Sequence, residues 1–125
     1  MKNKVCIVIP NWNGASHIGD CLDSLLAQSY KGHIIVVDNG SVDDSVQFIK
    51  SRYPSVELIE HPKNLGFAGG VNAGIRRAKE LGAEFVALLN NDAIADSKWL
   101  ENLIAVFDDK ENVGITTCKL LDDSK

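Results

Sequence analysis

Three runs of consecutive apolar residues, Val5–Ile9, Ile34–Val37 and Phe85–Leu89, each break off into a cluster of small polar residues or glycine. A strand with one wet face alternates apolar and polar residues. These runs do not alternate, so they predict strands covered on both faces, as in a parallel sheet. Val56–Ile59 reads as a weaker strand and Val113–Thr117 as a fifth.

The intervening segments carry helical periodicity. Ile18, Leu22, Leu25 and Leu26 fall on one face, and so do Leu100, Leu103, Ile104 and Phe107, with Asp96 or Ser97 as the N-cap. Val71, Ile75 and Ala78 line a third helix that Gly82 is placed to end. Val42, Val46 and Ile49 form a shorter stripe, and Ser41 with Asp44 resembles a capping box at its start. The order β-α-β-α-β-α-β-α-β predicts an α/β fold: a doubly wound, mostly parallel sheet flanked by helices. The 125 residues fit a single domain, 1–125.

Composition removes several functions. A net charge of −4 opposes general nucleic-acid binding, which needs a basic face. Cys6, Cys21 and Cys118 are odd in number and lack CxxC spacing, so they read as buried small hydrophobes in a reducing compartment. His17, His33 and His61 show no metal-ligand spacing. The basic Met1-Lys2-Asn3-Lys4 leads into an apolar run too short for a signal peptide. A cytoplasmic location is the expectation, with attachment to the inner face of a membrane left to sequence outside this chain.

In a doubly wound sheet, ligands bind beyond the carboxyl ends of the strands. Those ends carry Pro10-Asn11-Trp12-Asn13-Gly14, then Asp38-Asn39-Gly40-Ser41, then Asn64-Leu65-Gly66-Phe67-Ala68-Gly69-Gly70, then Asn90-Asn91-Asp92. Each cluster has a plain reading as a turn, because Asn, Asp, Ser and Gly suit strand-to-helix turns for backbone reasons. Asp43 and Asp44 read as helix-start charges. Trp12 stands between core edge and ligand lid. Lys63 is a candidate for phosphate, whereas Arg76 and Arg77 read as exposed helix charges. No GxGxxG follows the first strand and no GxxxxGK[ST] occurs, which sets aside dinucleotide-binding and P-loop sites. Pro10-Asn11 stand where a receiver domain would want acidic residues.

Taken together, these stretches resemble the family 2 glycosyltransferases of GT-A fold, in particular the rhamnosyltransferase-like members. The matching segments extend to Val36–Asp43, Asn64–Gly74 and Leu88–Asp92 and run along nearly the whole chain in the family's order. The resemblance implies that Pro10 and Asn11 lie along a nucleotide, and that Asp38 hydrogen-bonds a uracil- or thymine-type base in a pocket shaped by Asn39 and Ser41. It further implies that Asn64 and Gly66 open a loop beneath the nucleotide, and that Asn72 lies on the helix whose start meets phosphate. Asn91 would sit near the ribose. Asp92 would hold Mg²⁺ or Mn²⁺ on the diphosphate, with Asn90 replacing the first carboxylate of the family's DxD motif.

The implied reaction is inverting sugar transfer from a UDP- or dTDP-sugar to a saccharide or lipid-linked saccharide acceptor. Such transfer needs a general base. In this family that base lies well beyond the metal motif, so no catalytic residue is named. Asp122 and Asp123 come too early and read as tail charges. The chain is expected to supply donor and metal binding only, as a shortened GT-A domain whose open sheet edge invites self-association. The alternative is a non-catalytic nucleotide-binding or assembly module.

Overall fold

The computed structural model describes residues 4–109 and 112–121. Strands β1 (Val5–Asn11), β2 (His33–Asn39), β3 (Glu57–His61) and β4 (Phe85–Leu88) alternate with helices α1 (Ile18–Leu26), α2 (Ser45–Arg52), α3 (Gly66–Glu80) and α4 (Trp99–Asp109). Every pairing is parallel and the sheet order is β3-β2-β1-β4. The chain therefore steps outward from β1 to β3 and then returns to lay β4 on the other side of β1. The order reverses between β1 and β4.

The central strands behave as their unbroken apolar runs require. Ile7, Ile9 and Val36 face one way and pack with Ile18, Leu22 and Leu25 of α1, Ile49 of α2, and Leu100 and Ile104 of α4. Cys6, Val8, Ile35 and Val37 face the other way and pack with Ala73 and Ala78 of α3. Gly74 lets α3 approach β1 closely: a Cβ there would collide with both methyl groups of Val8. Gly82 has φ +79° and ends α3 as expected, with its amide and that of Ala83 bonded back to Lys79 and Ala78.

Several expectations fail for physical reasons. Residues 113–117 form no strand, although β4 stands at the edge of the sheet with its outer side unpaired among the described strands. β4 is not covered on both faces: Val86 and Leu88 are exposed. Leu26 is exposed, and Cys21 fills its place in the α1 stripe. Val42 is 90% exposed and lies outside α2. The Ser41–Asp44 capping box does not form. Asp44 takes the N-cap position without a side-chain bond, and Asp43 accepts the Ser45 amide instead. Asp96 accepts from Lys98, whereas the Leu100 amide in the first turn of α4 is met by Gln28 from beyond α1. Cys118 is exposed, unlike Cys6 and Cys21. No helix among the described residues is long and apolar enough to cross a membrane.

Candidate functional site

The carboxyl ends of the strands close around a depression of about 320 Å³ at the point where the strand order reverses. Pro10, Asn11 and Trp12 reach it from β1, and Asn39 from β2. Asn64 and Phe67 come from the β3–α3 turn, and Asn90, Asn91 and Asp92 from the end of β4. Trp12 and Phe67 present large exposed faces, 54% and 61%, so both belong to the rim. A larger cavity of about 640 Å³ shares Asp92, and its other walls come from His17 and α1, from Leu89 and residues 93–96 after β4, from α4 and from residues 116–121.

Behind the lining lies a buried polar layer. Asp38, at the end of β2, is 2% exposed. Its Oδ2 accepts from the Ser41 amide at 2.9 Å, and its Oδ1 accepts from Ser41 Oγ at 2.6 Å and Asn11 Nδ2 at 3.0 Å. The Asn11 amide also donates to Ser45 Oγ at 3.0 Å, while its Oδ1 accepts from Asn91 Nδ2 at 2.9 Å. Asn39 donates to the Gly66 carbonyl and is hydrogen-bonded to the His61 ring, which ties β2 to the start of α3. Asn64 Oδ1 accepts from the Gly66 amide at 2.7 Å.

Two loops are stitched together in front of this layer. Asn13, at φ +51°, donates its amide to Ser41 Oγ and accepts the Val42 amide on its Oδ1. Asn tolerates that left-handed conformation better than most residues. Asp43 accepts from the Ala15 amide and from both the amide and hydroxyl of Ser45. Burial pushes the Asp43 carboxyl up. The Ser45 hydroxyl and the Ala15 and Ser45 amides outweigh burial and hold it below its ordinary value.

The structure thus brings Pro10, Asn11, Asn39, Asn64, Asn91 and Asp92 to one depression. Asp38 and Ser41 stand behind it as supports. Gly66 begins α3, so the glycine-rich stretch is the helix's first turn and not a loop. Asn72 is exposed on the second turn and does not line the depression, and neither does Lys63. Arg77 pairs with Glu57 and Glu80 and is not a free helix charge. Sequence reasoning gave no role to Asn13, Gly14, Ser45 or His61, and of Asp43 it gave the place at the start of α2 but not the bond to the Ala15 amide. The Asn13-Gly14 pair was the available signal, since it marks a tight turn. A Cβ on Gly14 would collide with Asn11 Oδ1 and Asn91 Nδ2, so glycine is what lets those two side chains meet.

Asp92 is exposed and its carboxylate makes no hydrogen bond or ion pair among the described residues. Beneath it, the Cys21 thiol donates to the Asn90 carbonyl at 3.5 Å. Burial, and then the Asp92 charge, push that thiol up to about 12. No three His, Cys, Asp or Glu side chains form a ready-made cation cage among the described residues. A lone free carboxylate fits a hard divalent cation that takes its remaining ligands from phosphate oxygens and water.

Residues 6–120 match Glycosyl transferase family 2. The chain is 31% identical over 103 residues to the glycosyltransferase AglE of Haloferax volcanii, covering 78% of this chain and 33% of AglE. It is 33% identical over 94 residues to the glycosyltransferase YibD of Escherichia coli, covering 72% of this chain and 26% of YibD. The chain therefore spans about a third or less of these relatives. Its fold is similar to that of TarS from S. aureus in complex with UDP, with TM-score 0.74 at 20% identity over 91% of this chain and 38% of TarS. The mannosyltransferase PcManGT of Pyrobaculum calidifontis, in complex with GDP-Man and Mn²⁺, gives TM-score 0.72 at 26% identity over 83% of this chain and 32% of that one. The parallel sheet with its flanking helices is that of GT-A glycosyltransferases. Family match, curated relatives and fold agree, and the chain belongs to glycosyl transferase family 2.

Proposed function

We propose that this chain is the donor-binding half of a metal-assisted, inverting glycosyltransferase. The observation that carries the reading is the convergence of four strand-end clusters on one depression, with the unpaired carboxylate of Asp92 at its edge. The nucleoside lies against Pro10, Asn11 and Asn39, above the buried Asp38, and between the rims formed by Trp12 and Phe67. The diphosphate points toward Asp92. Mg²⁺ or Mn²⁺ held there neutralises the charge that grows on the leaving nucleoside diphosphate.

The relatives support the class of ligand. TarS is known with UDP and with UDP-GlcNAc, and PcManGT with GDP-Man and Mn²⁺. A uracil- or thymine-type base is the narrower reading. It rests on a carboxylate at position 38, which accepts from a ring N–H. Asp38 is nearly covered, so its contact with a base is made at the mouth of the Asn11–Ser41 network. No described residue is assigned to acceptor binding or to the general base. Asp122 and Asp123 lie outside the described residues.

Calorimetry with UDP, dTDP and GDP, with and without Mn²⁺, tests the reading. The expected result is that Mn²⁺ strengthens binding of the uridine or thymidine diphosphate and that Asp92→Ala removes this enhancement. Equal affinity with and without metal in both proteins would overturn the metal assignment. Equal affinity for all three nucleotides would overturn the base assignment.

A further inference from the structure

We propose that Ser45 and Asp43 are positioning residues for the Asn90–Asp92 loop and act on it through Asn11; the inference rests on the donor-and-metal reading of that loop. The hydrogen bonds have a fixed polarity. Ser45 Oγ donates to Asp43 Oδ1 at 2.6 Å, so its proton is committed and it faces Asn11 as an acceptor. Ser41 Oγ likewise gives its proton to Asp38 Oδ1 and is also an acceptor toward Asn11, at 3.4 Å. Asp38 Oδ1 is an acceptor in its own right. The Asn11 amide group therefore meets oxygen acceptors on one side.

A flipped Asn11 would set its own carbonyl oxygen against all of them, leaving buried acceptors unmatched at a cost of about 1–3 kcal/mol for each lost partner. Asn11 consequently turns its Oδ1 toward β4, where it accepts from Asn91. That bond crosses between β1 and β4, where the strand order reverses. It fixes which way Asn91 points and so anchors the loop that carries Asp92. Asn11 and Ser45 are 1% and 0% exposed, so water cannot substitute for either partner. The glycine at 14 keeps the junction tight. The start of α2, which follows β2 in the chain and touches β1 through Asn11, thereby sets the diphosphate end of the site.

Two readouts test this. In ¹⁵N spectra of the free chain, Ser45→Ala should move the Asn91 side-chain amide signals toward their positions in Asn11→Ala. In calorimetry, Ser45→Ala should reduce the factor by which Mn²⁺ strengthens UDP binding by about fivefold or more, the size of one lost hydrogen bond. The same substitution should add nothing further on an Asn91→Ala background. A purely structural role would leave the two effects additive and the Asn91 signals in place, and either result overturns the proposal. Should Ser45→Ala not fold, Asp43→Ala removes the oxygen that takes the Ser45 proton and should move the same signals. If the wild-type chain shows no Mn²⁺ enhancement, the donor-and-metal reading fails. The Asn91 signals still decide the positioning role.

Discussion

Gln28 caps helix α4 from the far end of α1. Its Oε1 accepts from the Leu100 amide at 3.0 Å, and its Nε2 donates to the Asp96 carbonyl at 2.6 Å and the Ser24 carbonyl at 3.1 Å. The side chain is 2% exposed, so these bonds have no water competitor. They pin the segment between β4 and α4 along α1, together with Ser24 Oγ, which accepts from the Ala95 amide.

Gln28→Ala should therefore cost about 1–3 kcal/mol, the range for leaving a buried group unsatisfied. Urea denaturation measures the loss, and amide exchange at Leu100 should rise more than at Ile49. A loss below about 0.5 kcal/mol would mean that α4 is held by packing alone.

Gly74→Ala tests the contact of α3 with β1. Alanine raises helix propensity by up to about 1 kcal/mol over glycine. The added carbon collides with Val8, and overpacking costs about 1–3 kcal/mol. The clash should win, making the variant less stable. On a Val8→Ala background, Gly74→Ala should become neutral or stabilising. Destabilisation of equal size on both backgrounds would place the clash elsewhere.

Glu57 gives the molecule an acid-sensitive contact. Burial pushes its carboxyl up, but the Arg77 guanidinium and then His33 outweigh this and hold it below its ordinary value of 4.5. A depressed folded value means that the contribution is complete above pH 4.5 and is lost as pH falls through the folded value. Glu57→Gln should lower Tm at neutral pH, and the gap from wild type should narrow below pH 4.5. A gap constant down to pH 3 would count against the ion pair.

The cysteines should separate by reactivity. Cys6 and Cys21 are fully buried, and burial raises both thiols, Cys21 to about 12. A thiol-reactive dye at pH 8 should label Cys118 in the native chain and all three only after denaturation, because the thiolate is the nucleophile. Fast labelling of Cys21 would mean that the loop above it opens readily.

The sheet was legible in the sequence because Val5–Ile9 and Ile34–Val37 cannot face water on either side. The strand-end clusters were legible because glycine and asparagine accumulate where strands turn into helices. What could not be read was the direction of each side chain. The motif marks Asp38 as a ligand candidate but gives no sign that its carboxylate also accepts from Ser41 and Asn11. Asp43 was legible as a helix-start charge, and it does accept the Ser45 amide, but its second bond, to the Ala15 amide of another loop, was not. Gln28 carried no pattern for its capping role, since the Asp96 and Leu100 groups it bonds lie 68 and 72 residues away. Residues 113–117 show the converse: a β-branched stretch forms no strand here, because β propensity is overridden by context.

The return of β4 to the side of β1 also sets a timetable for synthesis. β1 and β2 can pair as soon as Asn39 has left the ribosome, but the other edge of β1, from Val5 to Val8, waits for Phe85–Leu88. At 5–20 residues per second, that interval is roughly 2–10 s. Throughout it the nascent chain carries an apolar strand with one side unpaired, and Asn11 faces a gap where Asn91 will sit. The same step that closes the sheet completes the ligand depression, so a chain caught before it is both sticky and unable to bind.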